Sequence, residues 1–144
     1  MIVRPWEKGD TERILVQPSQ EYLAGFHASV DLSGLSEAGM AWVGEHEGQV
    51  LAMAGFLPQW EGRAVAWALL SKDAGPHFRA IHRAVEEKLI KSPFRRVEAT
   101  VDVGFEPGHR WMKLLDFEPE GYLRAYRPDG GDQVMYARIR RWRS

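Results

Sequence analysis

The side chains able to move protons cluster in the second half of this sequence. Glu98 and Asp102 lie four residues apart in the alternating run RRVEATVDV, so a two-residue period puts both carboxylates on one face of a strand. His109 stands at the start of a short basic run, GHRWMKLL, and Tyr122 and Tyr126 alternate to one face of the segment that follows. A carboxylate in such a position can take a proton from an amine, and a phenol or imidazole can return one to a leaving group. Each also has a plainer assignment. Glu98 and Asp102 fit an exposed polar face, His109 an exposed helix residue or an N-terminal-turn contact, and the tyrosines a packed or groove-lining surface. Trp42, Trp60 and Trp67 likewise fit either an acceptor groove or core.

Other chemistries lack their residues. The chain has no cysteine, which removes disulfides, thiolate nucleophiles and cysteine-ligated metal sites together. Its five histidines are scattered, and His77 and His82 miss the four-residue spacing of two ligands on one helix face. No serine sits in a nucleophile-elbow pattern, and there is no glycine-rich Walker or dinucleotide motif.

The elements that must position these groups follow from periodicity. IVRPW reads as a short edge strand, and KGDTERILV as a helix capped by Asp10 or Thr11. SQEYLAGFHAS reads as a second helix with Tyr22, Leu23 and Phe26 inward, and VDLSGLSEAG as a loop. Turns at Glu47-Gly48 and Glu61-Gly62 divide the next stretch into an antiparallel meander of three strands, with the apolar strand Ala64 to Leu70 central. From Gly75 to Lys91 the period becomes helical, with Phe78, Ile81, Val85 and Leu89 inward and Asp73 placed to cap. A strand at RRVEATVDV, a helix at EPGHRWMKLL and a hairpin turned by PDGGD complete the order β, α, α, β-β-β, α, β, α, β-β. Asp116 occupies the junction after the last helix, where a left-handed residue is required.

At 144 residues, with 44% hydrophobic and 27% charged residues, the chain suits a single globular domain over residues 1–144. A net charge of −1 supplies no field for nucleic acid or an anionic membrane, although RIRRWRS is locally basic. The longest apolar run, VLAMAGFLP, is too short to span a bilayer, and the N-terminus lacks a signal-peptide core. These features point to a soluble cytoplasmic protein.

The order of elements resembles the GNAT superfamily of acyl-CoA-dependent N-acyltransferases. Asp116-Phe117 stands where that family has glycine-phenylalanine after a helix, Glu120-Gly121 matches directly, VRPW resembles the first strand, and PDGGD resembles the closing hairpin. Within the superfamily the chain is similar to divergent phage-encoded GNAT-like proteins, which share a WxxxS strand, here Trp67 to Ser71. The resemblance implies an α+β fold, an α/β/α sandwich around a mixed, mostly antiparallel twisted sheet of six or seven strands. A parallel pair, Ala64–Leu70 and Arg95–Val101, would splay apart and leave bare main-chain amides for the pantetheine arm of acetyl-CoA. Leu69 and Leu70 would offer those groups.

The following loop, Ser71 to His77, would receive the pyrophosphate at a helix N-terminus. There Ser71, Lys72, Gly75, His77 and Arg79 are the binding candidates, while Pro76 has no N–H and Asp73 repels phosphate. The tyrosine that serves the family as acid is Met112 here, which has no proton to give. Tyr122, Tyr126 and His109 are therefore the candidate acids and Glu98 and Asp102 the candidate bases, with an amine as acceptor. The alternative is a catalytically inactive GNAT-fold phage structural or interaction protein, housed in the virion and joined to a phage partner. A homodimer fits either reading.

Overall fold

A computed structural model describes residues 1–21 and 30–140. The inward positions expected at Tyr22, Leu23 and Phe26, and the last four residues of the basic tail, lie outside the described residues. Seven strands form one sheet: β1 (Ile2–Pro5), β2 (Ala41–His46), β3 (Gln49–Trp60), β4 (Arg63–Leu70), β5 (Arg96–Asp102), β6 (Glu118–Leu123) and β7 (Gln133–Ile139). Their order across the sheet is β1-β2-β3-β4-β5-β7-β6. The described helices are α1 (Asp10–Arg13), α2 (Ser33–Glu37), α3 (Phe78–Lys91) and α4 (Glu106–Leu114), with 3-10 turns at Pro18–Gln20 and Gly75–His77. This is the expected mixed α+β sheet, and β4 takes its middle position. Among the described residues no helix is long and apolar enough to cross a membrane.

Contacts group the chain into two compact units, Met1–Leu57 with Trp67–Ser92, and Pro58–Ala66 with Pro93–Ser144. In the first, Trp6, Ile14, Leu32, Ala41, Val43, Val50, Met53 and Leu69 form a buried cluster, with Val16, Leu35 and Trp67 packed against it. The antiparallel pairing of β1 with β2, and of β2 with β3, spreads these residues over one continuous ladder. Glu47 and Gly48 make the β2–β3 turn with φ of 50° and 79°, the left-handed geometry of a two-residue hairpin. Expectation and structure differ at two places here. Ser33–Glu37 forms a helical turn rather than a loop. Asp10 does not cap α1; Gly9 stands there with φ 97°, and Asp10 is buried as the partner of Arg4, whose Nη1 and Nη2 donate to it at 2.8 Å each.

In the second unit β5 pairs antiparallel with β7 from Arg96↔Ile139 to Asp102↔Gln133, and β6 pairs with β7 on its other side. The parallel ladder of β4 with β5 runs over Arg63↔Arg96, Ala64↔Val97 and Val65↔Glu98. Helix α4 ends as its sequence requires. Asp116 takes φ 64°, its N–H donates to Lys113 C=O at 3.1 Å, and Phe117 N–H donates to Met112 C=O at 2.9 Å. That pair of bonds is a Schellman motif, and its apolar members Met112 and Phe117 are both buried. Met112 thus has a packing role at the end of α4.

Gly55 on β3 has no room for a side chain. A Cβ there would stand 2.5 Å from the carbonyl oxygen of Met40 and 2.8 Å from Cζ2 of Trp67. The Met40 carbonyl accepts from Phe56 N–H at 2.9 Å, so it has little freedom to withdraw. Gly55→Ala is expected to destabilise the protein by about 1–3 kcal/mol, the cost of overpacking against backbone. Urea unfolding should show a lower midpoint with an unchanged slope.

Candidate functional site

Strand β4 carries two rows of main-chain groups, and their partners define the site. Just past its end, Ser71 N–H donates to Leu51 C=O on β3 at 2.8 Å. Just before its start, Gly62 C=O accepts from Arg96 N–H at 2.9 Å. Because directions alternate along a strand, odd-numbered groups face β3 and even-numbered groups face the other edge. The outward donor near the end of β4 is therefore Leu70, and the N–H of Leu69, the other expected donor, turns to the β3 side, with its side chain buried.

That outer edge is not bare. Gln20 Nε2 donates to Ala68 C=O at 2.8 Å, and Leu70 N–H donates to Gln20 Oε1 at 2.9 Å. Gln17 N–H donates to Leu70 C=O at 2.9 Å, and Lys72 N–H donates to Leu15 C=O at 2.7 Å. An isolated antiparallel bridge, Val16↔Ser71, joins the same segments. The stretch from Leu15 to Gln20 thus continues the sheet locally along β4, half by backbone and half by the Gln20 carboxamide. Sequence reasoning missed Gln17 and Gln20. They stand about fifty positions from their partners, and nothing in local spacing marks them.

The loop after β4 is similarly committed. Asp73 N–H donates to Ser71 Oγ at 3.1 Å, Ala74 N–H to Ser71 C=O at 3.1 Å, and His77 N–H to Ala74 C=O at 2.9 Å. With Ser71 N–H on Leu51 and Lys72 N–H on Leu15, five amides of the expected anion loop serve internal bonds. Asp73 does not cap α3; its carboxylate accepts from Gln49 Nε2 at 3.0 Å. The His77 ring packs against that of His46, with centroids 4.6 Å apart. Gly75 lies exposed in the second 3-10 turn, and the side chains of Lys72 and Arg79 are exposed, so positive charge remains at the surface there.

Glu98 is buried, at 4% exposure, and not on a solvated face. Arg63 Nε and Nη2 donate to its two oxygens at 2.7 and 2.8 Å, and Arg96 Nε adds a third bond at 2.7 Å. Arg96 also reaches Glu120 at 2.6 Å, while the Arg63 guanidinium lies 4.2 Å from the ring centre of Trp60. The hydrogen bonds from Arg63, reinforced by Arg96, bring the Glu98 carboxyl down to about 2. Glu98 is therefore held in an ion pair with two arginines, which favours its ionised form.

His109 links α4 to the sheet. Its Nε2 lies 3.0 and 2.9 Å from the carbonyl oxygens of Asp102 and Val103, which can only accept. The neutral ring therefore carries its hydrogen on Nε2, and Nδ1 receives the Tyr136 hydroxyl at 2.6 Å. Burial holds the Tyr136 phenol above its ordinary value. Tyr122 is exposed, and its hydroxyl donates to Asp132 at 2.7 Å, which also raises its pKa. Asp102 is held by Arg127 at 2.9 Å and Gln133 at 2.7 Å, which ties the loop before β7 to β5. Among the described residues no three His, Asp or Glu side chains are grouped to hold a metal.

No family model and no curated protein sequence matches the chain. Solved structures match across nearly its whole length. The ribosomal-protein-alanine N-acetyltransferase of Brucella melitensis superposes with a TM-score of 0.74 at 19% identity, covering 96% of this chain and 99% of that one. A GNAT-superfamily phosphinothricin acetyltransferase of Sinorhizobium meliloti, solved in complex with AcCoA, gives 0.71 at 17%, covering 96% and 87%. A spermidine N-acetyltransferase of Vibrio cholerae gives 0.64 at 12%, covering 96% and 95%. The chain has the GNAT acetyltransferase fold. Of the residues expected to act in that fold, the structure groups Leu70, Ser71 and Lys72 with the segment from Leu15 to Gln20. It places Glu98, His109 and Tyr122 in separate networks within the other unit.

The Glu98 network makes a pH prediction. Its folded carboxyl, at about 2, lies below the reference value of 4.5, so it stabilises the fold fully above the reference value. That contribution is lost as pH falls from about 5 towards about 2. Urea midpoints measured across that range should fall, and Glu98→Gln should lower stability at neutral pH while flattening the acid limb.

Proposed function

We propose that this GNAT-fold chain is an acyl-CoA-dependent N-acyltransferase that uses acetyl-CoA and the amine of a small molecule or protein. The observation that carries the reading is the outer edge of β4. There Ala68 C=O and Leu70 N–H pair with a carboxamide, a donor and acceptor register that matches an amide of the pantetheine arm. The AcCoA complex of the S. meliloti neighbour, in the same fold, supports that use. Lys72 and Arg79 supply the charge for the phosphates through side chains, since the amides of Ser71, Lys72, Asp73, Ala74 and His77 are committed. Acetyl-CoA brings an acyl group already activated as a thioester.

The chain's own residues define the proton handling. Glu98 is engaged by Arg63 and Arg96 and held ionised, and in this reading the acceptor arrives as the neutral amine. Tyr122, raised by Asp132, keeps its proton at neutral pH, and its hydroxyl donates to Asp132 at 2.7 Å. A thiol is acidic enough, at about 8.5, to leave without a strong acid, which is why methionine at position 112 is compatible with turnover. His109 is a positioning residue, because both ring nitrogens are spent on Tyr136 and the end of β5.

The second reading, a non-catalytic assembly protein of the phage type, is favoured by the same edge being filled by Gln20 and by the committed loop amides. Calorimetric titration with acetyl-CoA separates the two. Saturable binding below millimolar ligand is expected, and no heat at millimolar ligand removes the enzyme. Because the chain has no cysteine, amine-dependent thiol release can be read directly with a disulfide dye. Lys72→Ala and Arg79→Ala should each weaken binding about two- to fivefold, as exposed charges do, with a smaller effect at high salt. The log of the rate at low amine should rise with unit slope in pH until the acceptor's own pKa; a plateau well below it would reveal a protein base.

A further inference from the structure

The Gln20 contact has the form of a ligand contact. Ala68 C=O and Leu70 N–H flank one residue on the same edge of β4, and a neighbour that donates to the first and accepts from the second makes the bonds of a parallel strand residue. Gln20 makes both, at 2.8 and 2.9 Å, with a side chain. Its backbone neighbours do not depend on that. Gln17 N–H on Leu70 C=O and Leu15 C=O on Lys72 N–H are main-chain bonds that survive rotation of the Gln20 side chain. The carboxamide is steadied by Gln17 Nε2 at 3.1 Å, a link between flexible side chains. Beside it Ser19 Oγ is shut off from solvent and has no hydrogen-bond partner among the described residues. A rearrangement of this turn therefore leaves no hydroxyl bond broken.

We propose that Gln20 is a built-in competitor for the amide-binding edge of β4, and so the residue that sets affinity for an acyl carrier with an amide in its arm. The inference rests on the acyltransferase reading for the identity of that carrier. Either the Gln20 carboxamide or the carrier amide occupies Ala68 and Leu70, never both. The measured dissociation constant is the intrinsic one divided by the fraction of molecules with Gln20 turned away. Removing the side-chain amide abolishes that competition without touching any group assigned to chemistry.

The test uses the full chain with Gln20→Met, which preserves length but has no donor or acceptor, and Gln20→Ala as a second variant. Circular dichroism and melting confirm that each folds. Acetyl-CoA affinity by calorimetry should tighten about tenfold in both, roughly the net contribution of one to two hydrogen bonds. Without ligand, exchange of the Leu70 amide should accelerate in both variants, and acetyl-CoA should restore its protection. Equal affinity in wild type and variants overturns the competitor role while leaving the acyltransferase reading intact. Weaker binding in the variants also overturns it, and makes Gln20 a direct contact of the carrier. If neither wild type nor variants bind, the acyltransferase reading and this inference fail together.

Discussion

A strand in the middle of a sheet must find partners for both of its rows of peptide groups, and β4 does so in an uneven way. Its odd-numbered groups face β3. Its even-numbered groups meet β5 only around Arg63 to Val65, and from Ala68 to Lys72 they are satisfied by the segment Leu15 to Gln20. Unpaired buried peptide groups carry the full cost of their desolvation, so some partner at this edge is obligatory. The arrangement uses backbone at two points and one flexible side chain at the third. Two of its four bonds are main-chain and the other two come from the Gln20 side chain.

The charged groups follow a different logic. Glu98 is buried with two arginines, and Asp10 with Arg4 and Arg13, so each carboxylate is compensated where water cannot do it. Compensation of this kind lowers the basicity of the carboxylate and makes Glu98 a strut between β4 and β5. His109 is spent in the same manner, holding the start of α4 against the end of β5. The second unit therefore builds its rigidity from polar contacts that a first inspection assigns to catalysis.

Local features were legible from the amino acids alone. Glu47-Gly48 had to turn, Asp116 had to be left-handed, and the three- and four-residue period from Phe78 to Leu89 had to place one helix face inward, because each rests on the steric limits of a few neighbouring residues. The order of elements, and with it the fold, could be compiled from such pieces. The short helix at Ser33–Glu37 escaped, since it has no recurring apolar face. Glu98 and Asp10 were misjudged because a charged residue on a strand or at a helix start is exposed unless a distant partner covers it.

The sequence by itself determined where the chain turns, which faces are apolar, and that thiol chemistry is absent. Those are properties of residue type and short-range spacing, and no other part of the molecule is needed to state them. Only the tertiary structure decided that a glutamine side chain would fill the edge of β4, that Glu98 would be buried between two arginines, and that His109 would be fully engaged. Each of those depends on groups far apart in the chain meeting within hydrogen-bond distance, and hydrogen bonding and burial act on spatial neighbours irrespective of their separation in sequence.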